Sequence, residues 1–325
     1  PGQGGGQQQW QAPSSKDMKR SNKPLIVGVA LLLVVGFLAV GAVIVGLALT
    51  TGGGGMAGGP SLFGDKIAVL ELDGVIGEGP TYPSDTRRLA KVVDRWAEDD
   101  SIKGMVIRIN SPGGAVSATQ DLFDAIEGFK DEGKPVYASM GDVAASGGYY
   151  IAMAADKVFA NSGSLTGSVG VIMSFWGYEG LVDKVGLDPR NVKSGKFKDI
   201  GSGAREMTEE EKEMLTSLVT DVFEQFFEVV VDGRYVAVEE MMLAQQGVEP
   251  SDVTEDKIRE HLRTYCDGRI FSGSQALDYG MIDELGTLDD AVSAMGQMLG
   301  VQGDPRLVDT PRPQQGLFGK VSTTL

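Results

Sequence analysis

The chain has 325 residues, with 45 Asp and Glu against 29 Lys and Arg, one histidine and one cysteine. A formal charge of −16 argues against nucleic acid as a partner, because phosphate needs a basic surface. The lone Cys266 excludes an intrachain disulfide and a Cys/His zinc cluster, and the lone His261 leaves little room for a Ser-His-Asp enzyme.

Residues 1–24 are rich in Gly, Gln and Ser, a composition that predicts a disordered tail. Lys16, Lys19, Arg20 and Lys23 form a basic cluster just before an uncharged apolar run, 25–49. A helix of that length spans ~37 Å, enough to cross a ~30 Å hydrocarbon core with some tilt. The run is too long for the ~7–15-residue core of a cleaved signal peptide, so a retained transmembrane helix is expected. Basic residues on its N-terminal side put the N-terminus in the cytoplasm and the rest of the chain outside the cell membrane. Residues 50–64 read as a Gly-rich linker.

The outer part, 65–300, reads as one α/β domain. Residues 67–72 (IAVLEL) have strand composition, and 86–97 place Leu89, Val92, Val93 and Trp96 at helical spacing. Residues 105–109 are a second strand, running into N-S-P-G-G. Residues 115–129 read as a helix with Val116, Leu122, Ala125, Ile126 and Phe129 on one side. A third strand at 135–140 leads to G-D-V-A-A-S-G-G, helix 149–155 follows, and a fourth strand at 157–160 opens onto N-S-G-S-L-T-G-S-V-G. Alternating strands and helices predict a largely parallel sheet with its chemistry in loops at the carboxyl ends of strands, here 110–114, 141–148 and 161–170. Residues 208–231 form the clearest helix, opened by a Thr208/Glu211 capping box, carrying a broad apolar stripe and stopped at Asp232–Gly233. Residues 237–265 are charged and helical in pieces, and 301–325 read as a flexible tail.

No P-loop, H-E-x-x-H or G-x-S-x-G motif is present. In S-P-G-G, 111–114, two glycines between a strand and a helix expose backbone N–H groups suited to an oxyanion, or make no more than a tight turn. Ser146, in A-A-S-G-G, reads either as a helix N-cap or as a nucleophile that small neighbours leave accessible. A serine nucleophile needs a base. His261 sits in a charged stretch without an evident orienting partner. A lysine serves if its amine is neutral, which a desolvated setting favours, and Lys193, Lys196 and Lys198 lie together in K-S-G-K-F-K-D.

The order S-P-G-G, S-G-G-Y-Y-I-A-M-A-A-D, T-G-S-V-G-V, K-S-G-x-x-K-D and, at 268–286, G-R-I-F-S-G-S-Q-A-L-D-Y-G-M-I-D-E-L-G resembles the signal peptide peptidase A (SppA) family of membrane-anchored serine peptidases, in its short single-domain form. The resemblance spans roughly 65–300. It implies a crotonase-like, Clp-protease-like α/β fold. It also implies Ser146 as nucleophile, Lys198 as general base with Lys196 as the alternative, and Ser168 as the serine that orients the lysine. Backbone N–H groups of Gly114 and Gly147 would form the oxyanion hole, with Gly113 shaping the turn. No metal or cofactor is expected. Hydrophobic peptides, cleaved signal peptides among them, are the implied substrates, and a homo-oligomeric ring with sites near subunit boundaries is the implied assembly. Residues 237–265 are longer and more charged than this pattern leads one to expect. The rivals are a related membrane Ser–Lys protease acting on a stomatin-like partner, an acyl-CoA hydratase or isomerase on the same fold, and a non-catalytic scaffold.

Overall fold

The computed structural model describes residues 65–244, 248–301 and 303–311, so the expected tail 1–24, membrane helix 25–49 and linker 50–64 lie outside the described residues. Among the described residues no helix is long and apolar enough to cross a membrane.

The apolar run 67–72 forms β1 (Lys66–Asp73), followed by the short β2 (Ile76–Gly77) and β3 (Ser84–Asp85). Helix α1 (Thr86–Ala97) buries Leu89, Val92, Val93 and Trp96, the four residues that set its period. Then come β4 (Ile102–Ser111), α2 (Val116–Asp131), β5 (Val136–Ala145), α3 (Gly147–Ala152), β6 (Lys157–Ala160) and β7 (Leu165–Gly167). A segment with one short helix, α4 (Glu179–Lys184), leads into α5 (Glu209–Leu243). After a 3-10 turn at Pro250–Asp252 the chain completes α6 (Glu255–Tyr265), β8 (Ile270–Ser272), α7 (Gly273–Asp278), β9 (Glu284–Leu285), α8 (Leu288–Met298) and β10 (Arg306–Asp309).

The main sheet runs β10-β1-β4-β5-β6-β9, with β7 branching from the end of β5 and β8 pairing β7. Every pairing is parallel except β7–β8. Leu70, Ile107, Ala138 and Val158 stand in register across four strands and are all at most 1% exposed. One face carries these residues against α1, α2, α3 and α5. The other buries Ile67, Val106, Tyr137 and Phe159 under Ala291, Val292 and Met295 of α8. Burial on both faces explains why the strands read as near-continuous apolar runs instead of alternating ones. The fold is the expected α/β architecture with a mostly parallel sheet.

Several details differ from the sequence reading. Strand β5 continues through 141–145, expected as loop, because β7 pairs with its end at Ala144↔Thr166. Val116, expected on the buried side of α2, is exposed. Helix α5 does not stop at Asp232–Gly233. A Cβ on Gly233 would stand 2.9 Å from the Met153 carbonyl, so the glycine serves close packing within the helix. The next residue, Arg234, is buried in a bidentate pair with Asp283 (2.8 and 2.9 Å) and donates to the Gly280 carbonyl at 2.8 Å. The apolar stripe is also only half covered: Phe226, Phe227 and Val230 are buried, whereas Met214 and Leu218 are exposed. Within the expected C-terminal tail, β10 pairs with β1 and Thr310 donates to the Val69 carbonyl, so the folded domain runs past residue 300.

Candidate active site

Strands β4 and β5 end side by side, Ser111 opposite Ala144, which brings S-P-G-G and A-S-G-G together. Ser111 Oγ donates to the Gly74 carbonyl at 2.6 Å and accepts from the Gly113 N–H at 3.1 Å, pinning the turn. Gly113 has φ +96°, and a Cβ there would fall 2.6 Å from the Gly147 nitrogen. A side chain would therefore be strained and would also press on that amide. Ile76 of β2 bridges this turn through the Gly113 carbonyl and the Ala115 N–H, leaving the Gly114 N–H out of the ladder. The Gly147 N–H, first in α3, has no intrahelical acceptor. Two backbone donors without an acceptor among the described residues thus line the same cavity as Ser146.

Ser146 has φ +53° and ψ −120°, a backbone region that costs a non-glycine residue about 1–3 kcal/mol and is held only where the surroundings enforce it. Enforcement comes from the β7 extension: the Ser146 N–H donates to the Gly167 carbonyl at 2.9 Å. Ser146 stands at the N-cap of α3, where its carbonyl accepts from the Tyr150 N–H at 2.9 Å, but its hydroxyl makes no cap hydrogen bond, so the side-chain cap does not form. Ser168 follows directly on β7, also at positive φ (+52°), with its N–H held by the Arg269 carbonyl at 2.7 Å.

Ser146, Gly114 and Gly147 open onto a cavity of ≈ 120 Å³. Val116, Tyr150, Val171, Ile172, Val222 and Phe226 give it apolar walls, with Thr119 and Gln120 as polar lining. The ring of Tyr150 is wedged between Phe123 and Phe226, each 5.1 Å away, and burial pushes its phenol above the usual range. Of these wall residues the sequence marks Val116 only as part of a helix face, and none as lining a site. They come from α2, α3, α5 and the strand-end loop, and only the fold gathers them.

The three lysines lie apart from this cluster in the sequence, on the 171–208 segment. Lys193 Nζ donates to Asp199 Oδ1 at 2.5 Å and to the Lys196 carbonyl at 3.1 Å, and Lys196 pairs with Glu210. Lys198 is exposed, and its amine makes no hydrogen bond among the described residues. Asp199 also receives the guanidinium of Arg205, and these hydrogen bonds, first from Arg205 and then from Lys193, hold its carboxyl well below the usual range. The structure thus brings Ser146, Gly113, Gly114, Gly147 and Ser168 to one strand-end cluster and leaves Lys198 on an exposed turn.

The other candidate groups fall elsewhere. His261 lies on α6 with Nε2 2.9 Å from the Tyr279 carbonyl and its ring edge-on to Tyr265. Cys266 is buried, and burial pushes its thiol up to about 12, so it is no rival nucleophile at neutral pH.

The peptidase family S49 model matches residues 128–249 and the Clp protease model matches residues 90–165. A Synechocystis sp. protein named as a protease is 37% identical over 251 residues, 76% of this chain and 80% of the relative. The chain belongs to peptidase family S49. A Methanocaldococcus jannaschii protein, also named as a protease, is 33% identical over 79% of this chain and 78% of its own length. An Enterococcus faecium protein named signal peptide peptidase SppA is 31% identical over 71% of this chain and 62% of the relative. This S49 chain is a serine peptidase. Its family match contains Ser146, Ser168 and all three lysines, and the Clp protease match covers the first two strand-end turns and ends inside the third.

Proposed function

We propose that this serine peptidase is a membrane-anchored endopeptidase that uses Ser146 and Lys198 to degrade cleaved signal peptides and other hydrophobic peptides. The observation that carries the reading is Ser146 itself, strained, its hydroxyl free of any cap bond to α3, and lining an apolar cavity together with Gly114 and Gly147. A neutral Lys198 amine takes the Ser146 Oγ proton as Oγ attacks the peptide carbonyl. The Gly114 and Gly147 N–H groups stabilise the oxyanion, and the lysine ammonium protonates the departing amine. The same amine then activates water to hydrolyse the acyl-enzyme. Lys198 is favoured over Lys196 and Lys193 because those two are already ion-paired. Ser168, beside Ser146 on the β7 extension, is suited to orient the lysine. An extended apolar segment fits the cavity walls, with backbone recognition along the strand ends.

The site is completed on assembly. Ile172, Trp176, Leu181, Leu187 and Val192 are exposed on the segment that carries Lys198, which supports its burial against another copy of the chain in a ring. The apolar run 25–49 would hold the catalytic domain at the outer face of the cell membrane, N-terminus inside.

The test is cleavage of a synthetic signal peptide by the purified chain at pH 6–10, beside Ser146→Ala, Lys198→Ala and Lys196→Ala. Native and Lys196→Ala protein should cut, while the other two lose at least ~10³-fold. Activity surviving in Lys198→Ala but not in Lys196→Ala would move the base to Lys196, and equal activity in all four would end the dyad reading.

A further inference from the structure

We propose that Arg205 is a positioning residue that ties the Lys198 turn to the helix walling the Ser146 cavity. The inference rests on Lys198 being the base.

Lys198 sits in a run of tight turns: its N–H donates to the Gly195 carbonyl at 3.2 Å, Ile200 to Phe197 at 3.0 Å and Ser202 to Asp199 at 3.1 Å. Such turns hold no fixed place on a fold by themselves. The adjoining Asp199 supplies one, its side chain only 13% exposed while Lys196 and Lys198 point to solvent. Arg205 grips it by a fork, Nε to Oδ2 at 3.1 Å and Nη2 to Oδ1 at 2.8 Å. The adjacent edge of the same guanidinium, sharing Nη2, forks onto Glu211, Nη1 to Oε2 at 2.8 Å and Nη2 to Oε1 at 2.5 Å, and Nη1 also donates to the Glu206 carbonyl at 3.0 Å. The Glu211 side chain is 3% exposed, and it accepts from the Thr208 N–H at 2.9 Å as one half of the α5 capping box. Further along that helix, Val222 and Phe226 line the cavity at Ser146. One planar cation thus connects the base's neighbour, the start of α5 and the substrate wall. A lysine, a single point charge, cannot hold two carboxylates edge to edge in this way.

The charges at this corner are Lys193, Lys196, Asp199, Arg205 and Glu206 from the segment, and Glu209, Glu210, Glu211 and Lys212 from α5. Lys196 pairs with Glu210 and Lys212 with Glu209. Arg205 and Lys193 therefore offset Asp199 and Glu211, which separates two roles by experiment. If the cluster only tuned charge near the amine, Arg205→Ala would move the acidic limb of the activity profile to higher pH. Asp199→Asn would move it to lower pH, and both would keep the high-pH plateau. If the cluster positions the turn, both variants lose plateau activity together.

The experiment measures kcat and KM for a synthetic signal peptide across pH 6–10, with thermal midpoints, for the purified chain and for Asp199→Asn, Arg205→Ala, Arg205→Lys and Lys198→Ala. Asp199→Asn keeps the Arg205–Glu211 cap and should fold normally. Its plateau kcat is expected to fall ~10–100-fold, the cost of about 1 Å of misplacement, with KM within about twofold. Arg205→Ala should fall at least as far, and Arg205→Lys should not recover it. Native plateau activity in Asp199→Asn, opposite limb shifts without plateau loss, or losses that track the folded fraction would each overturn the proposal. A Lys198→Ala variant that cuts at the native rate would instead sink the assignment of the base, and the proposal with it.

Discussion

At the scale of single residues, the site depends on backbone conformations that side-chain identity only permits. Ser146 and Ser168 are the non-glycine residues with positive φ among the described residues, and they lie side by side where β5 and β7 end. Gly113 is equally specific, since its φ of +96° and its contact with the Gly147 amide leave no room for a Cβ. Gly113→Ala is expected to fold with a small loss of stability, of the order of 1–3 kcal/mol. It should lose ~10²–10³-fold in kcat by displacing an oxyanion donor. Denaturant melts beside peptide-cleavage kinetics check this, and a variant with native kcat would remove the Gly147 N–H from the mechanism.

At the scale of elements, α5 organises the molecule around the site. Its capping box fixes one end, Val222 and Phe226 wall the cavity, and Gly233 and Arg234 lock its middle against Met153 and Asp283. The Arg234 side chain is 2% exposed and its partner Asp283 is 22% exposed, so removing the guanidinium leaves a half-buried carboxylate with the Val158 N–H but no cation, and the Gly280 carbonyl without its donor. Arg234→Ala should cost about 3–5 kcal/mol in urea melts. Adding Asp283→Asn should return part of that loss. If the double variant were as unstable as the sum of the two singles, the ion pair would not be the source.

At the scale of the whole molecule, the segment that carries Lys198 leaves large apolar side chains exposed. Trp176 is 84% exposed and Ile172 85%, on the segment that carries Lys198 and borders the cavity. Single exposed apolar residues are ordinary, whereas a run of them on one segment supports the proposed contact between copies. Sedimentation of the purified chain should give a multi-subunit mass. Trp176→Asp combined with Leu187→Asp should reduce that mass and lower activity in parallel. A monomeric native chain of full activity would contradict assembly as part of the site.

The sequence alone determined the alternation of strands and helices, the Gly/Ser motifs near the strand ends, the start of α5 and the order of motifs that marks the family. Each of these is local: apolar periodicity, a capping box, or glycines next to a serine. The positive φ of Ser146, the extension of β5 by β7, the passage of α5 through Gly233 and the use of β10 as an edge strand were decided by tertiary structure. In each case a distant partner supplied the hydrogen bonds or the close packing that local propensity opposed. Arg205 shows the same limit, since nothing in K-D-I-G-S-G-A-R-E marks the arginine until folding sets Asp199 and Glu211 on adjacent edges of its guanidinium.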